Sequence, residues 1–351
     1  MGCVIFAIRY TYNEAIDMAK AFGTEFMPEM AINWFKNNEW SAPEVVSSES
    51  LPLHPASHVL HYSSTCFEGL KAFRQKDGSV KIFRMDQNLE RFAQSSRLIS
   101  LPEIDVAVTS QMIIDIVGKF KDQVPDAPGS MYIRPTHLGT ELSIGKAAAP
   151  SVESCQFVLL SPVGDYFSGG SAALRVLLDE EGMRCAPHMG MIKSGGNYAS
   201  ALNPIMGAKE KYNADQILFA PGGFVQETGA ANFLLIDGDR NEVVTKALDA
   251  SFLHGITRDS ILTLARDNGM TVSERELSIS EVLERIQNPN CEAALSGTAA
   301  VLAPVGTMIF NGEEYRVGTG SLGPITTQLR NQLNAIQWGE ADDTHDWLTA
   351  V

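Results

Sequence analysis

The run Gly190-Met191-Ile192-Lys193-Ser194-Gly195-Gly196-Asn197-Tyr198 sets one lysine among small and apolar neighbours. A desolvated ammonium there sheds its proton more readily, and the neutral amine is a nucleophile able to condense with an aldehyde. On this stretch alone the plainer reading, a solvated lysine in a glycine-rich loop, stands beside the chemical one. Tyr198 taken alone is more often a packed aromatic than a working phenol.

Two further segments acquire meaning beside the lysine. Leu253-His254-Gly255-Ile256-Thr257-Arg258-Asp259 opens a helix that runs to about Asp267. Free N–H groups at such a start, with a glycine that lets a ligand approach, make an anion site, whereas Thr257 could equally be an ordinary N-cap. His254 reads as structural. Gln226-Glu227-Thr228-Gly229 places a carboxylate at a strand end; an acid there could keep a pyridine nitrogen protonated, or be a surface glutamate in a turn. Ser296-Gly297-Thr298-Ala299-Ala300 is a small-residue loop whose amides could face an oxyanion or simply turn the chain.

The elements that must carry these segments are mixed. Short β-rich runs alternate with helical patterns, which predicts an α/β chain. Val80–Phe83 and Gln156–Leu160 read as strands. Between them Met112, Ile113, Ile116, Val117 and Phe120 recur at helical spacing, with Pro125 where a helix has to stop. Ser161–Ala172 gathers Pro162, Gly164, Gly169 and Gly170 and is expected to connect two domains, 1–164 and 172–351, through a loop at 165–171. Beyond it Leu174–Leu178 reads as a strand, Ile217–Gln226 as a hairpin turning at Pro221-Gly222-Gly223, and Asn232–Ile236 as a further strand. Helical spacing returns at Ile261, Leu262, Leu264 and Ala265, ended by Gly269, and at Ile325, Leu329, Leu333 and Ile336.

The 351 residues are enough for two apolar cores, and 44% hydrophobic with 20% charged residues is a globular composition. Lysine and arginine number 27 against 42 acidic residues, so a net charge of −15 argues against a nucleic-acid partner. No apolar run is long enough for a bilayer, and Met1–Tyr10 lacks a basic leader and a cleavage site, so neither a membrane span nor a secretory signal is expected. Cys3, Cys66, Cys155, Cys185 and Cys291 are scattered and odd in number, without metal-ligand spacing. They read as buried thiols in a reducing, cytoplasmic setting.

Taken together, Lys193-Ser-Gly-Gly-Asn-Tyr198, Glu227-Thr-Gly-Ala-Ala-Asn232, Gly255-Ile-Thr-Arg258 and Ser296-Gly-Thr-Ala299 resemble the signatures of the branched-chain aminotransferases. Leu53-His-Pro-Ala-Ser57, His61-Tyr62, Cys66-Phe-Glu-Gly-Leu-Lys-Ala-Phe73, Asn88-Leu-Glu-Arg91 and Tyr132-Ile-Arg-Pro135 extend the resemblance over nearly the whole chain, closest to the longer, animal-type branch. It implies a fold type IV architecture like that of D-amino-acid aminotransferase: two mixed α/β domains, the second larger, with the active site at their interface. It also implies pyridoxal 5'-phosphate as cofactor and a homodimer.

By that resemblance Lys193 binds the cofactor covalently and moves the substrate proton, Tyr198 bonds the cofactor's phenolic oxygen, and Glu227 pairs with its ring nitrogen. Arg91, the Ile256 and Thr257 amides and Thr298 hold the phosphate. Phe22, Tyr62, Phe67, Tyr132 and Tyr166 wall an aliphatic pocket, the Thr298 and Ala299 amides lie near the α-carboxylate, and Arg134 with Tyr132 takes the distal carboxylate of glutamate. The implied reaction is reversible transfer between L-leucine, L-isoleucine or L-valine and 2-oxoglutarate. Where animal members carry a CxxC pair, this chain has Ala300 and Ala303, so no thiol switch of that kind is expected. Ala230 stands where some members have threonine, and Lys146 where an apolar residue is frequent in the loop that reaches across the dimer; both bear on fine specificity. A D-amino-acid transaminase or an aminodeoxychorismate lyase would share Lys193 and Glu227 but lack the Tyr132-Ile-Arg-Pro arrangement. In a non-catalytic small-molecule binding protein Lys193 would be a solvated loop residue.

Overall fold

Two ten-residue strands, β7 (Ser130–Gly139) and β8 (Ser154–Val163), are buried at almost every position and pair antiparallel from Ser130↔Val163 to Gly139↔Ser154. In the computed structural model, which describes residues 22–164 and 173–351, they form the middle of a nine-stranded sheet. Ahead of them come β1 (Glu29–Lys36), β2 (Glu39–Trp40), β3 (Glu44–Ser47), α1 (His58–Tyr62), β4 (Thr65–Phe67), β5 (Leu70–Arg74), β6 (Val80–Phe83), α2 (Met85–Leu98) and α3 (Val106–Lys119). α3 is the helix that the apolar spacing predicts: Asp105 caps it by accepting from the Ala107 and Val108 amides, and Met112, Ile113, Ile116 and Val117 are buried. α2 and α3 cover the sheet over a core that includes Leu70, Ile82, Leu89, Phe92 and Ile113.

The second part contains β9 (Leu174–Asp179), α4 (Gly195–Tyr212), β10 (Gln216–Phe219), β11 (Asn232–Asp237), β12 (Glu242–Thr245), α5 (Ile256–Asp267), β13 (Thr271–Glu274), α6 (Ile279–Arg285), β14 (Cys291–Gly297), β15 (Val301–Phe310), β16 (Glu313–Arg316), α7 (Pro324–Gln337) and β17 (Leu348–Ala350). Its eight-stranded sheet runs β10-β9-β15-β14-β11-β12-β13, with β16 beside β15; β9 is parallel to both its neighbours. Asn268 is the C-cap of α5 and is followed by Gly269 at φ +74°, a turn glycine tolerates without penalty. A third cluster joins the two sheets, packing Phe73 and Phe83 of the first against Ile261, Leu264, Leu333 and Ile336.

Two expectations need adjusting. Ser161–Val163 are not yet connection, because they pair with Ser130–Tyr132 and complete β8; the expected loop at 165–171 lies outside the described residues. The hairpin after β10 has no second strand over Phe224–Gln226. Its far leg is shared, with Gln226 N–H donating back to Phe219 O while Val225 N–H donates to Leu277 O and Phe224 bridges to Ser278. Strand β17 leaves the second half of the chain and pairs with β6 at the edge of the first sheet, so the chain's last strand crosses back. No helix among the described residues is long and apolar enough to cross a membrane.

Candidate active site

Lys193 immediately precedes α4, whose N-cap is Ser194. Asn197, one turn on, donates from Nδ2 to Met189 O at 2.7 Å and to Ile192 O at 2.8 Å, which shapes the loop that presents the lysine. Lys193 Nζ lies 2.9 Å from the Tyr198 hydroxyl, with the amine above the Phe67 ring at 5.3 Å. Burial pushes the Tyr198 phenol up, but the Lys193 charge and hydrogen bond outweigh it and leave the phenol below its ordinary value.

Glu227 is no surface residue. It is 2% exposed, and its carboxylate takes Arg184 Nη1 at 2.5 Å, the Leu253 amide at 2.9 Å and Asn232 Nδ2 at 3.3 Å. Burial raises this carboxyl to about 7 even against the opposing Arg184 charge. Arg184, 1% exposed, also stacks over Tyr198 at 5.2 Å, so lysine, phenol, guanidinium and carboxylate form one connected line.

α5 starts at Ile256 with Gly255 as its N-cap, and no side chain of the described residues caps it. Thr257 is therefore not the N-cap; it lies inside the first turn, and the amides at 256 and 257 have no helical acceptor. Arg91 comes to the same place from α2. It grips Glu68 through Nε at 2.7 Å and Nη2 at 2.9 Å, and donates from Nη1 to His254 O at 2.7 Å. Three of its five N–H groups are used, which leaves two for an anion. The neighbouring Glu68 charge outweighs burial and holds the guanidinium above its usual range. His254, beyond lending its carbonyl to Arg91, bonds Asp249 O.

Three of the expected pocket walls, Phe22, Phe67 and Tyr132, gather near Arg134. Its guanidinium stacks on Phe67 at 4.6 Å and Tyr132 at 5.1 Å, and Nη2 donates to the Tyr132 hydroxyl at 2.8 Å. Its buried Nε has no hydrogen-bond partner among the described residues. Phe22 meets Tyr132 edge-on at 5.0 Å, and Phe67 meets Tyr198 at 5.2 Å. Tyr62 makes its contacts elsewhere, with His58 and through its hydroxyl with Ile144 O. Tyr166 lies outside the described residues. Thr298 and Ala299 form the turn after β14; the Thr298 hydroxyl donates to Gly69 O at 3.1 Å, and Ala299 O accepts from Lys71 Nζ at 3.1 Å. The Thr298 hydroxyl is thus engaged with β5's approach, and only its amide remains for a ligand.

Glu68, Arg184 and Lys71 have no role in the sequence reading. Glu68 and Lys71 sit in the Cys66–Phe73 motif without a spacing that singles them out, and Arg184 lies in a turn where nothing in the sequence marks burial. Pyridoxal phosphate fits this donor set. A reactive amine beside a phenol, a buried carboxylate at the far end and an uncapped helix start with a spare guanidinium suit its aldehyde, ring nitrogen and phosphate. Among the described residues no cluster of side chains suits a metal ion.

Residues 65–306 match the family model for amino-transferase class IV. The chain is 37% identical over 335 residues to a probable branched-chain-amino-acid aminotransferase of Streptomyces coelicolor, covering 93% of this chain and 91% of that one. It is 35% identical to branched-chain-amino-acid aminotransferase 2 of Bacillus subtilis, covering 94% and 92%. The crystal structure of the Escherichia coli branched-chain amino acid aminotransferase superposes with a TM-score of 0.75 at 26% identity, over 91% of this chain and 98% of that one. With the lysine, phenol, carboxylate and helix start assembled in one place, these matches make the chain a member of the class IV aminotransferase family.

Proposed function

We propose that the chain is a pyridoxal-phosphate-dependent branched-chain amino-acid aminotransferase, moving the amino group of L-leucine, L-isoleucine or L-valine reversibly to 2-oxoglutarate in a two-stage exchange. The observation that carries this reading is the Lys193 amine 2.9 Å from the Tyr198 hydroxyl, in line with buried Glu227. When bound, the cofactor supplies an aldehyde that takes over the amino group and a ring that accepts the electron pair released at the substrate Cα.

The chain's own residues do the rest. Lys193 Nζ takes the Cα proton and returns it in the reverse half-reaction. The Tyr198 hydroxyl steadies that amine and bonds the phenolic oxygen. Glu227 holds the proton on the ring nitrogen, and Arg184 favours its ionised form against the burial that would neutralise it. The Ile256 and Thr257 amides, the Thr298 amide and the two spare Arg91 N–H groups hold the phosphate. Phe22, Phe67 and Tyr132 wall the aliphatic side chain. One methylene in such a pocket discriminates by only about 1 to 3 kcal/mol, so all three branched-chain substrates are accepted. Arg134, held by Tyr132, receives the distal carboxylate, and the Thr298 and Ala299 amides face the α-carboxylate.

We take 1–164 and 172–351 as the two domains, joined by 165–171, with β17 crossing back. Leu60, Leu142 and Ile144 are exposed apolar residues, which suits contact with a second copy of the chain, and we propose a homodimer acting in the cytoplasm. The test is the absorption spectrum with added cofactor, before and after L-leucine, with D-alanine alongside. A visible band that L-leucine bleaches and D-alanine leaves alone is expected. Protein that stays colourless refutes the enzyme, and bleaching by D-alanine alone points to another class IV activity. Lys193→Ala should lose both band and turnover.

A further inference from the structure

Lys193 belongs by sequence to the second half of the chain, yet its own peptide is held by the first. Phe67 N–H of β4 donates to Lys193 O at 3.0 Å, Cys66 forms an antiparallel bridge with Ser194, and Lys193 N–H donates to Ser95 Oγ of α2 at 3.1 Å. The dipeptide carrying the amine thus lies along the free edge of β4, whose other edge is taken by β7. Resting on the reading that Lys193 carries the cofactor, we infer that Ser95 is a positioning residue for that lysine, fixing the peptide from which its side chain reaches Tyr198.

Ser95 is itself held in place. It is fully buried, and its neighbour Ser96, also fully buried, sits between the Cys66 thiol at 3.3 Å and His137 Nδ1 at 3.0 Å, while His137 Nε2 meets Ser154 Oγ at 2.8 Å. This chain of side chains runs from β8 through β7 to α2 and β4, and fixes the rotation of α2 that turns Ser95 toward Lys193. Burial drives the His137 imidazole down to about 3, so the lock stays neutral and unchanged across any working pH. A pH-dependent change on altering Ser95 therefore arises at Lys193 and its neighbours, not in the lock.

Removing the Ser95 hydroxyl leaves the part-buried Lys193 amide without its acceptor and lets the peptide shift. Displacements of an ångström at a reacting group cost up to about a hundredfold in rate. Ser95→Ala is expected to lower kcat by about tenfold or more with KM for L-leucine little changed, to move the pH midpoint of the visible absorbance, and to speed amide exchange at residue 193 in cofactor-free protein. Ser95→Cys keeps a weak acceptor in similar volume and should fall between parent and alanine variant, serving also if the alanine variant does not fold. Parent-like kcat, absorbance midpoint and amide exchange in Ser95→Ala would overturn the assignment, as would Ser95→Cys matching the alanine variant's loss with exchange at 193 unaltered. A parent protein that never develops the visible band refutes the cofactor reading instead, and the exchange measurement still reports on the clamp.

Discussion

Arg184 and Glu227 form a buried pair whose two members should respond differently to losing their partner. Glu227 can shed its charge by taking a proton; Arg184 cannot. In Glu227→Gln the guanidinium stays 1% exposed and loses its charged partner, a change that costs about 3 to 5 kcal/mol where that partner is ionised. In Arg184→Met the carboxyl rises above its present value of about 7, and the loss depends on pH. A carboxyl whose folded value exceeds the unfolded 4.5 contributes stability that is full below 4.5 and lost as pH rises through the folded value. In the parent that decline covers 4.5 to about 7, roughly 3 kcal/mol at 1.36 kcal/mol per unit, and then stops. In Arg184→Met it continues, so the deficit against the parent widens as pH rises above 7. Urea unfolding of cofactor-free protein at pH 6, 7 and 8.5 measures this without ligand linkage. Equal losses for both variants at every pH, or a Glu227→Gln protein within about 0.5 kcal/mol of the parent at pH 8.5, would show that the pair is not buried as described.

Three further outcomes follow from packing. A methyl group at Gly69 would overlap the Tyr132 hydroxyl, so Gly69→Ala should break the Arg134 to Tyr132 bond and raise KM for 2-oxoglutarate about tenfold, more than KM for L-leucine; steady-state kinetics with both substrates decides it. A methyl at Gly255 would run into Asn232 Oδ1 and disturb both the α5 start and the Asn232 bond to Glu227. Cofactor affinity, measured by equilibrium titration of the cofactor-free protein, should fall at least about tenfold. Cys66, Cys155 and Cys291 are buried with thiols pushed up to about 12, so in native protein at pH 8 a thiol reagent should leave them unmodified and denatured protein should expose all three.

The chemical identity of the site was legible in one dimension because its parts are local segments. A lysine four residues before Asn197-Tyr198, a glycine opening a helix at Ile256 and an acid before Thr228-Gly229 each depend on neighbours a few residues away. Helices α3, α5 and α7 were legible for the same reason, since their buried faces repeat within the helix. Tertiary structure alone decided what surrounds those segments. That Glu227 is buried rather than a surface turn follows from Arg184, Leu253 and Asn232 converging on it, three residues whose sequence positions give no sign of one another. The far leg of the expected hairpin is shared with Leu277 and Ser278, and β17 returned to β6 from the far end of the chain. Burial and long-range hydrogen bonding are properties of a folded arrangement, so the partners that set each group's charge and orientation, Glu68 for Arg91 and Ser95 for Lys193, appear only once distant segments are brought together.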